Sequence, residues 1–195
     1  EMGHYAPRTK YCEVVLNGNY EGIYVLTEKI KQDDNRVDIA NLRPEEIEGD
    51  DLTGGYIFKV DNYASDGSDS WLGNFTPERV PENEVRFVYH DPRASKIVPE
   101  QQQYLQAYVD GFETVLFGDN FADPSTGYRA FVNVESFIDY LIISELSRNV
   151  DAYKKSKYYF KDKDSKGGLL NSGPVWDYDW AYKNINGTQA SGSGW

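Results

Sequence analysis

The strongest constraint on the fold is a two-residue signal, Asn17-Gly18, set between two runs rich in β-branched and aromatic residues. Both residues tolerate positive φ, so the pair specifies a tight hairpin turn. Tyr11 to Leu16 reads as the outgoing strand and Tyr20 to Thr27 as the return. Gly22 in the return strand marks a bulge or a close backbone approach. Such a hairpin cannot stand alone, so the rest of the chain must supply the core.

Further along, Gly54-Gly55 precedes a strand at Tyr56 to Val60, and Glu84 to His90 alternates, with Val85, Phe87 and Tyr89 on one face. Between them, Asp61 to Asn74 reads as a loop. Pro44-Glu45-Glu46 is placed to open a short helix. Pro99 opens a longer one, with Tyr104, Leu105, Tyr108, Val109, Phe112, Val115 and Leu116 at helical spacing and Gly118 as its stop. A second long helix follows Asn133 as N-cap and ends near Arg148-Asn149; its expected apolar face is Val134, Phe137, Ile138, Leu141, Ile142 and Leu146. Lys157 to Lys161 and Leu169 to Trp176 read as strands around a turn, the second interrupted by Pro174. The order predicts one α+β unit over 1–195, with an early β-hairpin, central helices and a late β-hairpin.

Composition narrows the function. Acids outnumber bases 32 to 20, a net charge of −12, which argues against a non-specific grip on nucleic-acid phosphates. No apolar run approaches the ~18 residues of a membrane helix. The single cysteine, Cys12, excludes an internal disulfide and reads as a small core residue. The first residues carry no signal peptide, and a strand that starts almost at once, with a Gly/Ser-rich tail ending at Trp195, suggests a fragment.

The C-terminal third carries the chemistry. Asp151 follows the second long helix, and Asp177 lies 177 − 151 = 26 residues on, across a hairpin that can fold the two together. Phosphoryl transfer uses such a pair: one carboxylate orients the acceptor hydroxyl, and another holds Mg²⁺ on the nucleotide phosphates. A kinase loop of the form H-R-D-x-x-x-x-N has Asn five residues after Asp; here that position is Ser156, whose hydroxyl can also ligate Mg²⁺. Taken by spacing alone, Asp151 also reads as a turn cap, and Asp177 with Asp179 as a solvated strand end. The Asp61 to Ser70 loop is acidic but lacks the spacing of a Ca²⁺ loop. His4 and His90 offer no metal set. The 16 tyrosines and 4 tryptophans fit packing better than a sugar platform.

Four stretches in order resemble the CotH family of atypical, spore-coat protein kinases: Tyr5 to Ile39 (YAPRTKYCEVVLNGNYEGIYVLTEKIKQDDNRVDI), Gly54 to Asp61 (GGYIFKVD), Phe137 to Asp151 (FIDYLIISELSRNVD) and Gly173 to Ala181 (GPVWDYDWA). The resemblance implies a reduced protein-kinase-like fold and transfer of phosphate from ATP to protein Ser or Thr, with Mg²⁺ or Mn²⁺. It assigns Asp151 as the catalytic-loop carboxylate and Asp177 as the metal-holding one, with Asp179 and Ser156 as further metal contacts. It assigns Glu28, Lys29 and Ile30 to the hinge that meets the nucleotide. It implies a Ser/Thr-bearing protein substrate, which the net charge suggests is basic, and an extracellular, cell-envelope or spore-coat setting. The family's phosphate-contacting Lys and its Glu partner would lie before residue 1, so the chain is expected to be incomplete at its N-terminus and to transfer phosphate poorly by itself. The alternatives are a pseudokinase-like scaffold, for which Ser156 in place of Asn is the argument, and an extracellular carbohydrate-binding module.

Overall fold

The structure, a computed structural model, describes residues 2–76 and 84–183. The Gly/Ser-rich tail lies outside the described residues. Two antiparallel sheets and a few helices make up the fold, a mixed arrangement compatible with the α+β class. Strands β1 (Thr9–Leu16) and β2 (Asn19–Thr27) form the expected hairpin. Asn17 and Gly18 both take positive φ in its turn. The register slips between Val14 and Val15, opposite Gly22 at φ 103°, so the bulge falls where glycine permits it.

The second sheet has five strands in the order β4-β5-β3-β6-β7. They are β3 (Tyr56–Val60), β4 (Ser70–Leu72), β5 (Arg86–Asp91), β6 (Lys157–Lys161) and β7 (Leu170–Ser172), all paired antiparallel. Ser70–Leu72, within the stretch read as loop, pairs with Arg86–Val88 as an edge strand, because Trp71 stacks on Phe87 in the core. The last strand is shorter than expected and stops at Ser172, before the Gly173-Pro174 bond, since proline has no N–H to give a ladder.

Period-two alternation splits this sheet into two faces. Tyr56, Phe58, Phe87, Tyr89 and Tyr159 point to the main core, where helix α2 (Pro99–Phe117) lays Leu105 and Val109. Ile57, Tyr158 and Phe160 point the other way, onto Ile30, Val37, Ile39 and Trp176. The second core thus glues the chain just after the hairpin, and the chain just before Asp177, to one sheet face. A one-turn helix, α1 (Gly49–Leu52), forms a few residues beyond Pro44-Glu45-Glu46, which make a turn instead. Buried Gln101 explains the turn: its amide donates to the carbonyls of Arg43 (2.7 Å) and Glu46 (3.2 Å), while its carbonyl accepts the Val98 N–H.

Helix α3 (Val134–Ser147) reverses the expectation for its faces. Ile138, Leu141, Ile142 and Leu146 are exposed, Leu146 at 69%. Ser136, Tyr140, Ser144 and Ser147 are buried instead. Only Val134 and Phe137 of the expected apolar set join the main core. The polar face can be buried because each of its hydroxyls is bonded: Ser136 to the Asn133 carbonyl, Ser144 with Tyr178, Ser147 to the Ser144 carbonyl, Tyr140 to the Ala152 carbonyl. Asn133 does occupy the N-cap position, but its side chain donates to Asn171 of β7 rather than capping the helix.

Candidate phosphoryl-transfer site

The buried polar face of α3 is the floor of the site. The helix ends at Arg148, which takes a left-handed conformation and reverses the chain. The following loop is held by three bonds: Asn149 N–H to the Ser144 carbonyl at 3.3 Å, Ala152 N–H to the Asn149 carbonyl at 3.2 Å, and Tyr140 O–H to the Ala152 carbonyl at 2.7 Å. Asn149 is itself 2% exposed, and its side chain accepts the Asp151 N–H at 3.3 Å. Asp151 therefore stands on a rigid loop. Its carboxylate is mostly buried and meets the Lys154 ammonium at 3.3 Å.

Across the β6–β7 hairpin, Trp176 packs edge-on against Tyr158, and the Tyr178 hydroxyl bonds Ser144 Oγ at 3.1 Å. These two anchors flank Asp177 and fix it. Ser156 Oγ donates to Asp177 Oδ2 at 3.3 Å. Both residues adopt left-handed backbone angles, φ 50° for Ser156 and 58° for Asp177, which non-glycine residues hold only when their surroundings demand it. Burial, then Asp179, raise the Asp177 carboxyl above its ordinary value; the Ser156 bond opposes them, and Asp61 and Asp151 add further repulsion. The fold therefore brings Ser156 within hydrogen-bond reach of Asp177, and Asp179 and Asp151 within electrostatic reach of it.

The segment Glu28–Ile30 lies apart from that cluster in its contacts. The Glu28 carboxylate accepts from Arg8 N–H and guanidinium and from the Tyr5 hydroxyl, with Arg36 at 3.8 Å. The Arg8 bonds hold its carboxyl down at about 2. The Glu28 N–H donates to the Arg8 carbonyl, the Lys29 carbonyl accepts from Arg36, and the Ile30 carbonyl bonds His90 Nε2 at 2.9 Å. Three backbone groups of this segment are thus engaged within the protein. Lys29 and Ile30 line an open cavity of about 1160 Å³, together with Lys59 and His90.

Two residues of the site carried no role in the sequence reading. Asp61 contributes to the field on Asp177, and Lys59 pairs with Asp61 at 2.5 Å. They sit at the end of the quoted GGYIFKVD stretch. Their alternation along β3 is the signal that puts Lys59 on the same face as Tyr158.

The donors around Asp177 are all oxygens, which suits a hard cation. Among the described residues no three acidic, His or Cys side chains gather closely enough to enclose a metal unaided. Mg²⁺ is ordinarily held by one or two carboxylates completed by water and substrate phosphates, and Asp177 with Ser156 Oγ beside it offers a partial oxygen set of that kind. The residues present fit such an ion.

Asp177 and Asp179 are exposed just beyond the β6–β7 hairpin, and Asp179, Asp61 and Asp151 each contribute to the field on Asp177. The chain matches the family described as CotH kinase protein over residues 1–194, and it belongs to that family. No curated protein matches it.

Proposed function

We propose that this chain is a kinase-like domain that binds ATP with Mg²⁺, Mn²⁺ being a substitute, and directs phosphate to Ser or Thr of a protein. The observation that carries the proposal is the Ser156–Asp177 contact inside a carboxylate cluster whose central member holds a raised pKa. When bound, the divalent ion would offset charge on the phosphates. Asp177 would be its main ligand, and Ser156 and Asp179 would complete the protein's share. Asp151, on its pinned loop, would accept a hydrogen bond from the acceptor hydroxyl and orient it, while Lys154 beside it adds positive charge. Glu28, Lys29 and Ile30 are proposed to meet the nucleotide along the cavity edge. A protein-kinase-like fold and an extracellular, envelope or spore-coat setting belong to the same proposal.

Binding of a fluorescent ATP analogue with and without Mg²⁺ tests it. Asp177→Asn is expected to abolish the Mg²⁺-dependent part of binding, while Asp151→Asn keeps binding. Unchanged Mg²⁺-dependent binding in Asp177→Asn overturns the assignment. Acidity supplies a second check. A raised Asp177 pKa means that protons compete with the cation, so Mg²⁺ affinity should fall on acidification at a higher pH than for an ordinary aspartate.

A second reading, a scaffold that keeps the fold without transfer, draws on the engaged Glu28, Lys29 and Ile30 backbone groups. It predicts no nucleotide binding in the same titration.

A further inference from the structure

A second cavity, of about 780 Å³, opens between helix α3 and the segments 2–6, 36–38 and 172–175. No residue of the carboxylate cluster lines it, and neither do Glu28, Lys29, Ile30 or Lys59. Its wall is mostly apolar, with Ile143, Phe160 and Val175. Its volume falls within the roughly 300–1000 Å³ of ordinary small-molecule sites, which pair such a wall with a few polar groups that fix the ligand.

One polar point in this wall is incomplete. Of the hydroxyl-bearing residues lining the cavity, Tyr5 donates to Glu28, Ser136 to the Asn133 carbonyl and Tyr140 to the Ala152 carbonyl. Ser172 differs. Its Oγ accepts from Lys157 Nζ, and its own proton meets no acceptor among the described residues. Lys157 behind it is 4% exposed and has no carboxylate partner among the described residues. The rings of Tyr140, Tyr159 and Phe137 surround its ammonium, with centroids at 3.0, 4.6 and 5.8 Å. Ring faces offset only part of what an ammonium loses on leaving water, so the cation still lacks a counter-charge.

A hydroxyl with a proton to give, backed by a buried cation, is a seat for an anion. The number of charges narrows the choice: one cation balances one negative charge. Asp139 pairs with His4 at 2.7 Å, and Arg36 is drawn to Glu28 and the Lys29 carbonyl, so neither competes for that point. A phosphate dianion would bring one negative charge too many beside Asp38.

We propose that this cavity binds a small organic monocarboxylate. Its apolar body lies against Ile143, Phe160 and Val175, and its carboxylate accepts from the Ser172 hydroxyl, with the Lys157 ammonium behind as counter-charge. The assignment goes beyond the phosphotransfer reading and does not rest on it.

Isothermal titration calorimetry with octanoate and with its uncharged analogue octanamide, without nucleotide or Mg²⁺, tests the proposal. Octanoate is expected to bind with a Kd below about 1 mM, and octanamide at least about tenfold more weakly. Lys157→Met should weaken octanoate about tenfold or more and leave octanamide nearly unchanged, and Ser172→Ala should show the same pattern with a smaller loss. Ile143→Trp, which fills the apolar wall, should lose both ligands. An unchanged circular dichroism spectrum confirms that each variant is folded. Asp177→Asn should bind octanoate as the intact chain does, which separates this outcome from failure of the metal assignment. Absence of octanoate binding, equal affinity for the two ligands, or indifference of octanoate to both Lys157→Met and Ser172→Ala overturns the proposal. So does unchanged octanoate affinity in Ile143→Trp, which would place the binding elsewhere.

Discussion

Helices α2 and α3 look alike in sequence and are packed by opposite rules. Helix α2 lays its apolar stripe on the five-stranded sheet: Leu105 is 1% exposed and Val109 2%, with Tyr104, Tyr108 and Phe112 at their flanks. Helix α3 turns most of its apolar stripe outward and buries serines and a tyrosine against the loop that carries Asp151. Helix α2 is held by the area it removes from water. Helix α3 is held largely by directional bonds, and each of those bonds fixes a part of the site. A helix built to position chemistry need not obey the pattern of a helix built to fill a core.

The largest expected effect lies on α2. Leu105→Ala removes a fully buried side chain from the main core that it shares with Tyr56 and Phe58, and should cost about 2–5 kcal/mol in chemical denaturation. A loss under ~1 kcal/mol would mean that the stripe on α2 carries no more than that on α3.

Next comes Lys157, which faces α3 from β6. The residue is 4% exposed; its ammonium sits 3.0 Å from the Tyr140 ring centroid and donates to Ser172 Oγ, with no carboxylate partner among the described residues. Burial alone drives its pKa well below the ordinary value. The sign follows directly. A base with a depressed folded pKa binds fewer protons folded than unfolded, so the penalty is full at low pH and fades as pH rises toward 10.5. Lys157→Met keeps the length and removes the charge. It should stabilise the protein by about 1–3 kcal/mol at neutral pH, and the gain should shrink in alkaline solution. Destabilisation at neutral pH would show that the ring contacts of the cation outweigh its dehydration.

Much of this arrangement was legible in the residues, and the exceptions have a common cause. Asn17-Gly18 set the hairpin register, Pro99 and Gly118 bounded α2, and the alternation around Phe87 gave β5, because each is a local signal with a local reason. The β6–β7 hairpin between Asp151 and Asp177 was readable too, as two strand-like runs around a turn. What the residues concealed is non-local. Trp71 makes Ser70–Leu72 a strand only because Phe87 lies beside it. The buried face of α3 depends on partners up to 36 residues away, Ser136 with the Ser172 N–H and Ser144 with Tyr178, and no periodicity in α3 reports them. The cavity beside segment 29–31 gathers Lys29, Arg43, Arg93 and Lys96 from three separate segments, and the overall negative charge hides it.

A smaller effect separates structure from positioning. Ser144→Ala removes the hydroxyl that meets Tyr178 and should cost about 1 kcal/mol of stability. Tyr178 adjoins Asp177, so the variant should also weaken Mg²⁺-dependent nucleotide binding, which a purely structural serine would leave alone. Loss of stability with intact binding would confine Ser144 to folding.

The smallest effect is the sharpest check on the contrast between the helices. Leu146 is apolar, lies in the last turn of α3, and has 69% of its surface in water. Leu146→Gln exchanges one good helix former for another, so local propensity is nearly unchanged. With so little area buried, the hydrophobic term is also small. The variant should therefore fall within ~0.5 kcal/mol of the parent, against several for Leu105→Ala, although the two leucines occupy equivalent places in their helical stripes. A cost near that of Leu105 would mean that the outer face of α3 is covered in solution. The loss would then depend on protein concentration if a second copy covers it, and would not if the chain covers itself.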